Sequence, residues 1–170
     1  CAIGFSTSVA ISPRTDRQIR FRSTLFPGEF YFDPDRPETA ELTGWAKYVA
    51  GVAAILGREG FSLVGADILI DSDVPIGAGL SSSASLEVAV GYALTKIAGL
   101  DVDKWTLAKI GQRAEHEFAG VRSGIMDQFA SAFGIKDHAL FLDCRSLEWE
   151  PIPLTDANFV ICNTRTKHDL

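Results

Sequence analysis

Alternating apolar and polar positions predict a set of short β-strands in the first part of the chain. Residues 3–11, 18–25 and 28–33 each alternate in this way, and Pro27-Gly28 separates the last two segments. A period of two places the apolar side chains of a strand on one face of a sheet. Because short polar turns separate the segments, we expect the three strands to form an antiparallel meander.

Apolar positions spaced three and four residues apart predict four helices farther along the chain. These are residues 43–56, a segment with Leu86, Val90, Ala93, Leu94 and Ile97 on one face, residues 102–119 and residues 123–133. We expect the hydroxyls of Thr43 and Ser123 to cap the first and the last of these helices. Three further strands are predicted at residues 138–143, 147–152 and 158–163.

A glycine- and serine-rich stretch follows the predicted strand at residues 66–70 and precedes the second helix. Gly77 and Gly79 lack a Cβ atom, so the backbone there can adopt positive φ angles and approach a ligand closely. Four hydroxyl side chains follow the glycines, those of Ser81, Ser82, Ser83 and Ser85. The N–H groups at a helix start lack intrahelical partners and carry the positive end of the helix dipole, which favours a bound phosphate.

Two interpretations of this stretch stay open on the residues alone. A loop and a well-capped helix account for the same residues without a ligand. The stretch is not a P-loop, because no Gly-Lys-Ser/Thr follows the glycines, and Ser82 stands where the dinucleotide fingerprint requires a third glycine. Asp71 and Asp73 precede the glycines, and since carboxylates repel phosphate we expect them to be turn residues rather than phosphate ligands, with contact to a metal ion as the less favoured alternative.

Glu115 is the informative carboxylate of the third predicted helix. Its helical neighbours are small or apolar, namely Ala108, Gly111, Phe118 and Ala119. A carboxylate in such surroundings is expected to be partly buried and to need a cation, either Mg²⁺ or a lysine or arginine from elsewhere. Glu117 differs, because Arg113 lies four residues before it and a solvated surface pair explains it.

Composition and charge limit the remaining possibilities. A chain of 170 residues can form one domain with a substantial core, and a net charge of −6 without a basic cluster argues against nucleic-acid binding. No apolar run approaches the roughly 20 residues of a membrane span, so we expect no membrane partner. Cys1, Cys144 and Cys162 lack metal-ligand spacing, and we expect buried or partly buried thiols of a cytoplasmic protein.

Residues 75–84, Pro-Ile-Gly-Ala-Gly-Leu-Ser-Ser-Ser-Ala, resemble the phosphate-binding motif of the GHMP kinases. The continuation to Glu87 resembles the galactokinase branch of that superfamily in particular. Further similar segments are residues 114–120, 124–129, 138–147 and 167–170. The resemblance implies an α+β fold in which helices pack on one side of a mixed or antiparallel sheet, as in domain 2 of ribosomal protein S5. It also implies a kinase that uses ATP and Mg²⁺ to phosphorylate the anomeric hydroxyl of galactose.

The resemblance also implies roles for individual residues. It implies ATP binding by the residues of the motif and by one aromatic residue: Pro75, Gly77, Ala78, Gly79, Leu80, Ser81, Ser82, Ser83, Ala84 and Trp45. Ser83 and Glu115 would hold Mg²⁺. Asp127 would accept the proton of the sugar hydroxyl or orient that hydroxyl, and Gly124 would let the sugar approach the backbone. The residues alone favour a core aromatic at Trp45 and a helix-terminal aspartate at Asp127.

Family members carry an upstream sugar-binding motif and a C-terminal half, and neither is found in these 170 residues, which begin with Cys1 rather than methionine. We therefore expect a partial N-terminal domain of a longer enzyme, inactive or nearly so by itself. The family commonly has cysteine where this chain has Ser123, and we expect little consequence from that change.

Several alternatives to galactose phosphorylation stay open. The sugar is alternatively N-acetylgalactosamine, arabinose or galacturonic acid, or the protein is a non-catalytic sensor of sugar and ATP. The intact serine turn, residues 81–84, favours an enzyme over a sensor. We expect a monomer. Arg165, Lys167 and His168 either steer phosphate or belong to a solvated tail.

Overall fold

A four-stranded sheet covered by helices, with a separate hairpin, makes up the part of the chain that the computed structural model describes, residues 1–36, 42–155 and 159–162. The strands are β1 (Thr7–Pro13), β2 (Ile19–Ser23), β3 (Glu29–Phe32), β4 (Ala66–Ser72), β5 (His138–Leu142) and β6 (Trp149–Pro153). The α-helices are α1 (Ala46–Arg58), α2 (Ser82–Ile97), α3 (Lys104–Ala114) and α4 (Met126–Phe133). A π-helical segment, Glu115–Ala119, continues α3.

The sheet is mixed, with the strand order β1-β4-β2-β3. β4 pairs antiparallel with β1 and parallel with β2, while β2 and β3 form an antiparallel pair. The expected meander is therefore wrong, because β4 separates β1 from β2. β4 lies in the interior of the sheet, with β1 on one side and β2 on the other. Its alternate residues are buried, namely Ala66, Ile68 and Ile70, as a strand with neighbouring strands on both sides allows.

The helices cover one face of this sheet, as expected. Ile19 and Phe21 of β2 pack with Val49 and Val52 of α1 in the main core, and all four side chains are fully buried. Arg20 lies between Ile19 and Phe21 along β2 and is exposed on the opposite face, as strand alternation requires. The apolar face of the sheet thus packs against the helices and forms the core. The site described below lies on this same side of the sheet.

The predicted caps at Thr43 and Ser123 are wrong. α1 begins at Ala46 after Trp45, and Thr43 contributes only its carbonyl oxygen, which accepts from the Ala46 N–H at 3.3 Å. α4 begins at Met126 without a side-chain cap, because the Ser123 hydroxyl donates to Glu115 instead. A side-chain cap that we did not predict occurs at Asp103, which accepts from the Thr106 N–H at 3.0 Å.

The second sheet is a hairpin of β5 and β6, which confirms the strands predicted near residues 138–143 and 147–152. Trp149 of β6 packs against Phe129 and Phe133 of α4, which also contact Trp105 of α3. The predicted strand at 158–163 is wrong for residues 159–162, which are not in a strand, and its other residues lie outside the described part.

Two further expectations concern the surface. All three cysteines are exposed, so the expectation of buried or partly buried thiols is wrong. Among the described residues, no helix is both long and apolar enough to cross a bilayer. Arg165, Lys167 and His168, for which we expected either phosphate steering or a solvated tail, lie outside the described residues.

Candidate active site

The turn between β4 and α2 has an unusual backbone. Gly77 and Gly79 have φ angles of 69° and 71°, and Ser81, the residue before α2, has a φ of 57°. This left-handed conformation costs a non-glycine residue about 1–2 kcal/mol, and the Ser81 side chain makes no capping hydrogen bond that offsets it. A Cβ atom at either glycine would meet nothing within 4 Å, so the glycines serve the backbone conformation and leave open space beside it.

Ser83 and Glu115, the two residues to which the resemblance assigns the metal, lie in direct contact. The Ser83 hydroxyl, in the first turn of α2, donates to Oε1 of Glu115 at 2.8 Å. Glu115 begins the π-helical segment and is only 6% exposed, which confirms the expected burial. Its partners in the described part of the chain are Ser83, Ser123 and Gln128, with no lysine or arginine among them.

Surface ion pairs connect the π-helical segment to α1 and α3. Glu117 pairs with Arg113 at 3.4 Å, which confirms the expected surface pair, and with Arg58 of α1 at 2.6 Å. The Arg58 guanidinium also lies 5.5 Å from the ring centre of Phe118. These contacts tie the end of α1 to the segment that carries Glu115. π-Helical turns occur often at functional sites, since they redirect side chains that a regular helix would point elsewhere.

Beneath Glu115 lies a buried polar network that the sequence analysis missed. The side-chain amide of Gln128 donates to Oε2 of Glu115 at 3.0 Å and to Oε2 of Glu87 at 2.9 Å. Gln128 and Glu87 are 0% and 1% exposed. The helical spacing held a signal for Glu87, because it falls on the same face of α2 as the buried residues Ala84 and Val90.

Burial changes the protonation of Glu87. The pKa of this carboxyl is raised to about 9, chiefly by removal from water; the hydrogen bond from Gln128 acts in the opposite direction, and the negative charges of Glu115 and Asp127 add to the rise. Glu87 is therefore neutral near pH 7. A neutral acid next to Gln128 removes the repulsion that two ionised carboxylates sharing one amide would suffer.

Two cavities open on either side of the glycine turn. The first, of about 680 Å³, is lined by Phe26, Trp45, Tyr48, Gly77, Ser82 and Ser83 among others. The second, of about 790 Å³, is lined by residues that include Gly79, Leu80, Ser81, Ser85, Met126 and Asp127. Thr7 of β1 lines both, and its hydroxyl oxygen lies 2.8 Å from that of Ser85. Both volumes are in the range of small-molecule sites.

Trp45 belongs to the core and to the wall of the first cavity. Its ring meets Phe21 and Phe30 edge-on at centroid distances of 5.4 and 5.5 Å, and it stacks with Phe26 at 6.0 Å. The ring is only half-buried, because the remaining surface faces the cavity. The core interpretation therefore holds, and it leaves surface for a ligand.

Asp127 lies in the first turn of α4 and faces the second cavity. Its carboxylate is half-buried, and the hydrogen bonds and ion pairs of the described residues do not include it. Asp71 and Asp73 are outside this arrangement. The expected turn position is wrong for Asp71, which is the last residue but one of β4 and accepts from the Thr24 hydroxyl. Asp73 follows the strand and accepts from the Ser6 N–H at 2.5 Å.

The remaining residues of the predicted site do not line either cavity. Pro75 and Ala78 belong to the turn but line neither cavity, and Ala84 is buried on the inner face of α2. Gly124 is exposed and also lines neither cavity. The glycine and serine turn thus shares one cavity with Trp45 and the other with Asp127, and its Ser83 contacts Glu115, whereas Gly124 is not part of these contacts.

A strand, a glycine-rich turn and a helix start with a cavity on either side form an arrangement whose chemistry suits an anionic ligand. The family description "GHMP kinases N terminal domain" matches residues 47–135 of this chain. The chain therefore belongs to the GHMP kinase family.

Among individual proteins, the chain is similar to galactokinases. The chain is 45% identical to the galactokinase of Chloroflexus aggregans and 44% identical to that of Chloroflexus aurantiacus, each over 170 residues and 99% of this chain. These residues correspond to 44% of each relative, so the chain spans less than half of their length.

Solved structures agree with this assignment. The structure of Lactococcus lactis galactokinase complexed with galactose matches 90% of this chain and 40% of that chain, with 37% identity and a TM-score of 0.86. A mevalonate kinase structure at 19% identity has a TM-score of 0.70 over 86% of this chain, which shows a shared fold.

Proposed function

We propose that this chain is the partial N-terminal domain of a longer kinase that transfers the γ-phosphoryl group of ATP to the anomeric hydroxyl of galactose. The observation that carries the proposal is the Ser83–Glu115 contact of 2.8 Å at the glycine turn, with a cavity on either side. Galactokinases at 44–45% identity over nearly the whole chain support galactose as the sugar.

The first cavity is the proposed nucleotide site. Its apolar wall at Phe26 and Trp45 suits an adenine ring, because a nucleobase stacks on aromatic side chains. The turn from Gly77 to Ser82 leads from this wall to the start of α2, where free backbone N–H groups and the helix dipole favour phosphate oxygens. The triphosphate would thus run along the turn toward the second cavity.

Ser83 and Glu115 form a donor set that fits Mg²⁺. Both provide hard oxygen atoms of the kind that Mg²⁺ prefers, and the structure brings these two oxygens to 2.8 Å from each other. The described residues contain no cluster of three His, Cys, Asp or Glu side chains that could hold a metal ion. One carboxylate and one hydroxyl therefore suit an ion that phosphate oxygens and water also coordinate. When bound, Mg²⁺ would neutralise charge on the phosphates.

Asp127 is the proposed catalytic residue in the second cavity. The anomeric oxygen of galactose forms a bond to the γ-phosphorus, the bond from that phosphorus to the β–γ bridging oxygen breaks, and its electron pair leaves with ADP. The hydroxyl proton passes to the Asp127 carboxylate, or to solvent if Asp127 only orients the hydroxyl. Residues 79–81 border the same cavity, so the acceptor and the phosphate turn face each other. We propose that Gly124, three residues before Asp127, contributes to the sugar site.

The test is ADP release by the full-length enzyme with a panel of sugars, beside Asp127→Asn. We expect release with galactose and its loss in the variant. Asp101→Asn is the control, because the Asp101 side chain is fully exposed and lines neither cavity. Release with N-acetylgalactosamine, arabinose or galacturonic acid but not galactose would move the substrate and keep the chemistry. No release with any sugar, despite ATP binding, would replace the kinase by a sensor.

A further inference from the structure

We propose that Gln128 is a positioning residue for Glu115. Gln128 holds Oε2 of the Glu115 carboxylate toward the protein interior, so that Oε1 alone faces Ser83 and the metal. This inference rests on the proposed function, because it concerns the carboxylate that we propose as the Mg²⁺ ligand. It assigns to Gln128 an effect on metal affinity that the residue exerts without touching metal, nucleotide or sugar.

The two oxygens of Glu115 have different surroundings. Oε1 accepts from the Ser83 hydroxyl at 2.8 Å, at the start of α2 and beside the first cavity. Oε2 accepts from the Ser123 hydroxyl and from the Gln128 amide at 3.0 Å, on the side of α4. A carboxylate oxygen with two hydrogen bonds is already satisfied, so a cation is left to Oε1, a single-oxygen contact.

The orientation of the Gln128 amide is dictated by its neighbours. Its nitrogen donates to carboxyl oxygens of both Glu87 and Glu115, and a flipped amide would place its carbonyl oxygen against Oε2 of Glu115, which is an acceptor. Gln128 Oε1 has no partner among the described residues. Leaving a buried amide oxygen without a partner costs about 1–3 kcal/mol, so the contacts of the nitrogen determine how the side chain lies.

Close packing keeps this side chain in place. Gln128 is fully buried, and a Cβ atom at Gly111 of α3 would lie 3.2 Å from its Cγ atom and 3.2 Å from Cβ of Glu87. The absence of a side chain at Gly111 therefore makes the room in which Gln128 reaches both acids. A fixed outer partner orients a metal ligand, and its loss typically lowers metal affinity by about 10–100-fold.

Gln128→Met tests the proposal, because methionine has similar length and flexibility but no N–H donor. Binding of Mn²⁺ is measured by electron paramagnetic resonance in the full-length enzyme with a non-hydrolysable ATP analogue. Binding of the same analogue in EDTA reports the nucleotide site without metal. We expect Mn²⁺ affinity to fall by about 10–100-fold, with metal-free analogue binding and the KM for galactose unchanged.

Two further variants separate positioning from general packing. Thr95→Val is the control, since Thr95 is equally buried on α2 and, within the described part of the chain, its hydroxyl donates only to carbonyl oxygens of that helix. It should leave Mn²⁺ affinity unchanged. Ser123→Ala removes the other donor to Oε2 from a half-buried loop position, and if Gln128→Met does not fold, unchanged Mn²⁺ affinity in Ser123→Ala overturns the premise that donors at Oε2 position this carboxylate. We expect it to weaken Mn²⁺ binding as well.

The outcomes distinguish this inference from the proposed function. If the wild-type enzyme does not bind Mn²⁺ with the analogue and does not release ADP, the proposed function fails. If the wild type does both and a folded Gln128→Met variant keeps wild-type Mn²⁺ affinity, only the positioning role is overturned. Equal losses in Gln128→Met and Thr95→Val would also overturn it, because packing alone would then explain the effect.

Discussion

Asp127 and Gln128 are consecutive residues in the first turn of α4, yet their side chains serve opposite sides of the site. Asp127 is half-buried and faces the second cavity beside Gly79, whereas Gln128 is fully buried and donates to Glu115. Consecutive helical positions are rotated by about 100°, which separates the two directions. One short helix therefore positions both the proposed catalytic aspartate and the carboxylate proposed to hold Mg²⁺.

Glu115→Gln should lower kcat by about 100-fold or more, as loss of a preorganised charge at a transferring phosphoryl group does. The variant keeps the size of the side chain but removes the charge that would attract Mg²⁺, and its new N–H₂ group must face a donor or the metal. Steady-state kinetics at increasing Mg²⁺ concentration measure the effect.

The matched control is Glu117→Gln, two residues away. Glu117 pairs with Arg113 and Arg58 at the surface, where such pairs contribute about 0–1 kcal/mol. Its kinetics should equal those of the wild type at every Mg²⁺ concentration. Wild-type kcat in Glu115→Gln would show that this carboxylate is not a ligand.

Gly79→Ala should destabilise the turn and weaken nucleotide binding together. The φ angle of 71° at Gly79 costs an alanine about 1–2 kcal/mol, although no atom obstructs the new methyl group. Relief of that strain moves the backbone N–H groups that would bind phosphate. Urea unfolding and titration with an ATP analogue measure the two effects.

The control for this prediction is Gly57→Ala in the last turns of α1. Gly57 does not have a positive φ, and the nearest atom to an added Cβ is the Pro34 carbonyl oxygen at 3.9 Å. Alanine is favoured over glycine inside a helix by about 1 kcal/mol, so this variant should be as stable as the wild type or more so. Unchanged stability and affinity in Gly79→Ala would contradict a conformational role for that glycine.

Glu87 predicts an unusual pH dependence of stability. Its pKa is raised from 4.5 to about 9 in the folded protein, mainly by burial. Between these values the folded state binds the proton and the unfolded state does not, so the contribution of Glu87 is complete below the lower value and is lost as pH rises toward the higher one. The slope for this one group is at most about 1.4 kcal/mol per pH unit.

Glu87→Gln removes the titrating group and keeps the side-chain length. The free energy of unfolding of the wild type, measured by urea unfolding, should therefore fall relative to that of Glu87→Gln between pH 5.5 and 8.5, a span chosen within the window of about 4.5 to 9. Parallel curves for the two proteins would show that Glu87 keeps an ordinary pKa when folded.

Local periodicity predicted most of the elements but not their arrangement. The strand at 66–70 and the helix after the serines were predictable, because each has its own apolar pattern. The parallel pairing of β2 with β4 was not predictable. It pairs Phe21 with Ile68, which are separated in the sequence by β3 and α1, and no local pattern indicates which strands lie at the centre of a sheet. The caps failed for a similar reason: the Ser123 hydroxyl serves a distant carboxylate instead of its own helix.

The outer residues of the candidate site were predictable, and the inner ones were missed. Burial of Glu115 followed from its small and apolar helical neighbours, and the structure adds its contact with Ser83. Gln128 carries no local signal, since a glutamine one residue after Asp127 suits a solvated helix equally well. Its contacts with Glu87 and Glu115 arise only when α2, α3 and α4 pack together.

Trp45→Leu separates the core and ligand roles of that residue, which the structure combines. The variant loses edge contacts with Phe21 and Phe30 and the stacked contact with Phe26, so stability should fall. If adenine stacks in the first cavity, affinity for the ATP analogue should also fall by about tenfold, equivalent to about 1.4 kcal/mol.

Trp149→Leu is the control, because Trp149 packs on Phe133 at 5.2 Å and lines neither cavity. It should lose stability and keep nucleotide affinity, and the same result in Trp45→Leu would restrict Trp45 to the core.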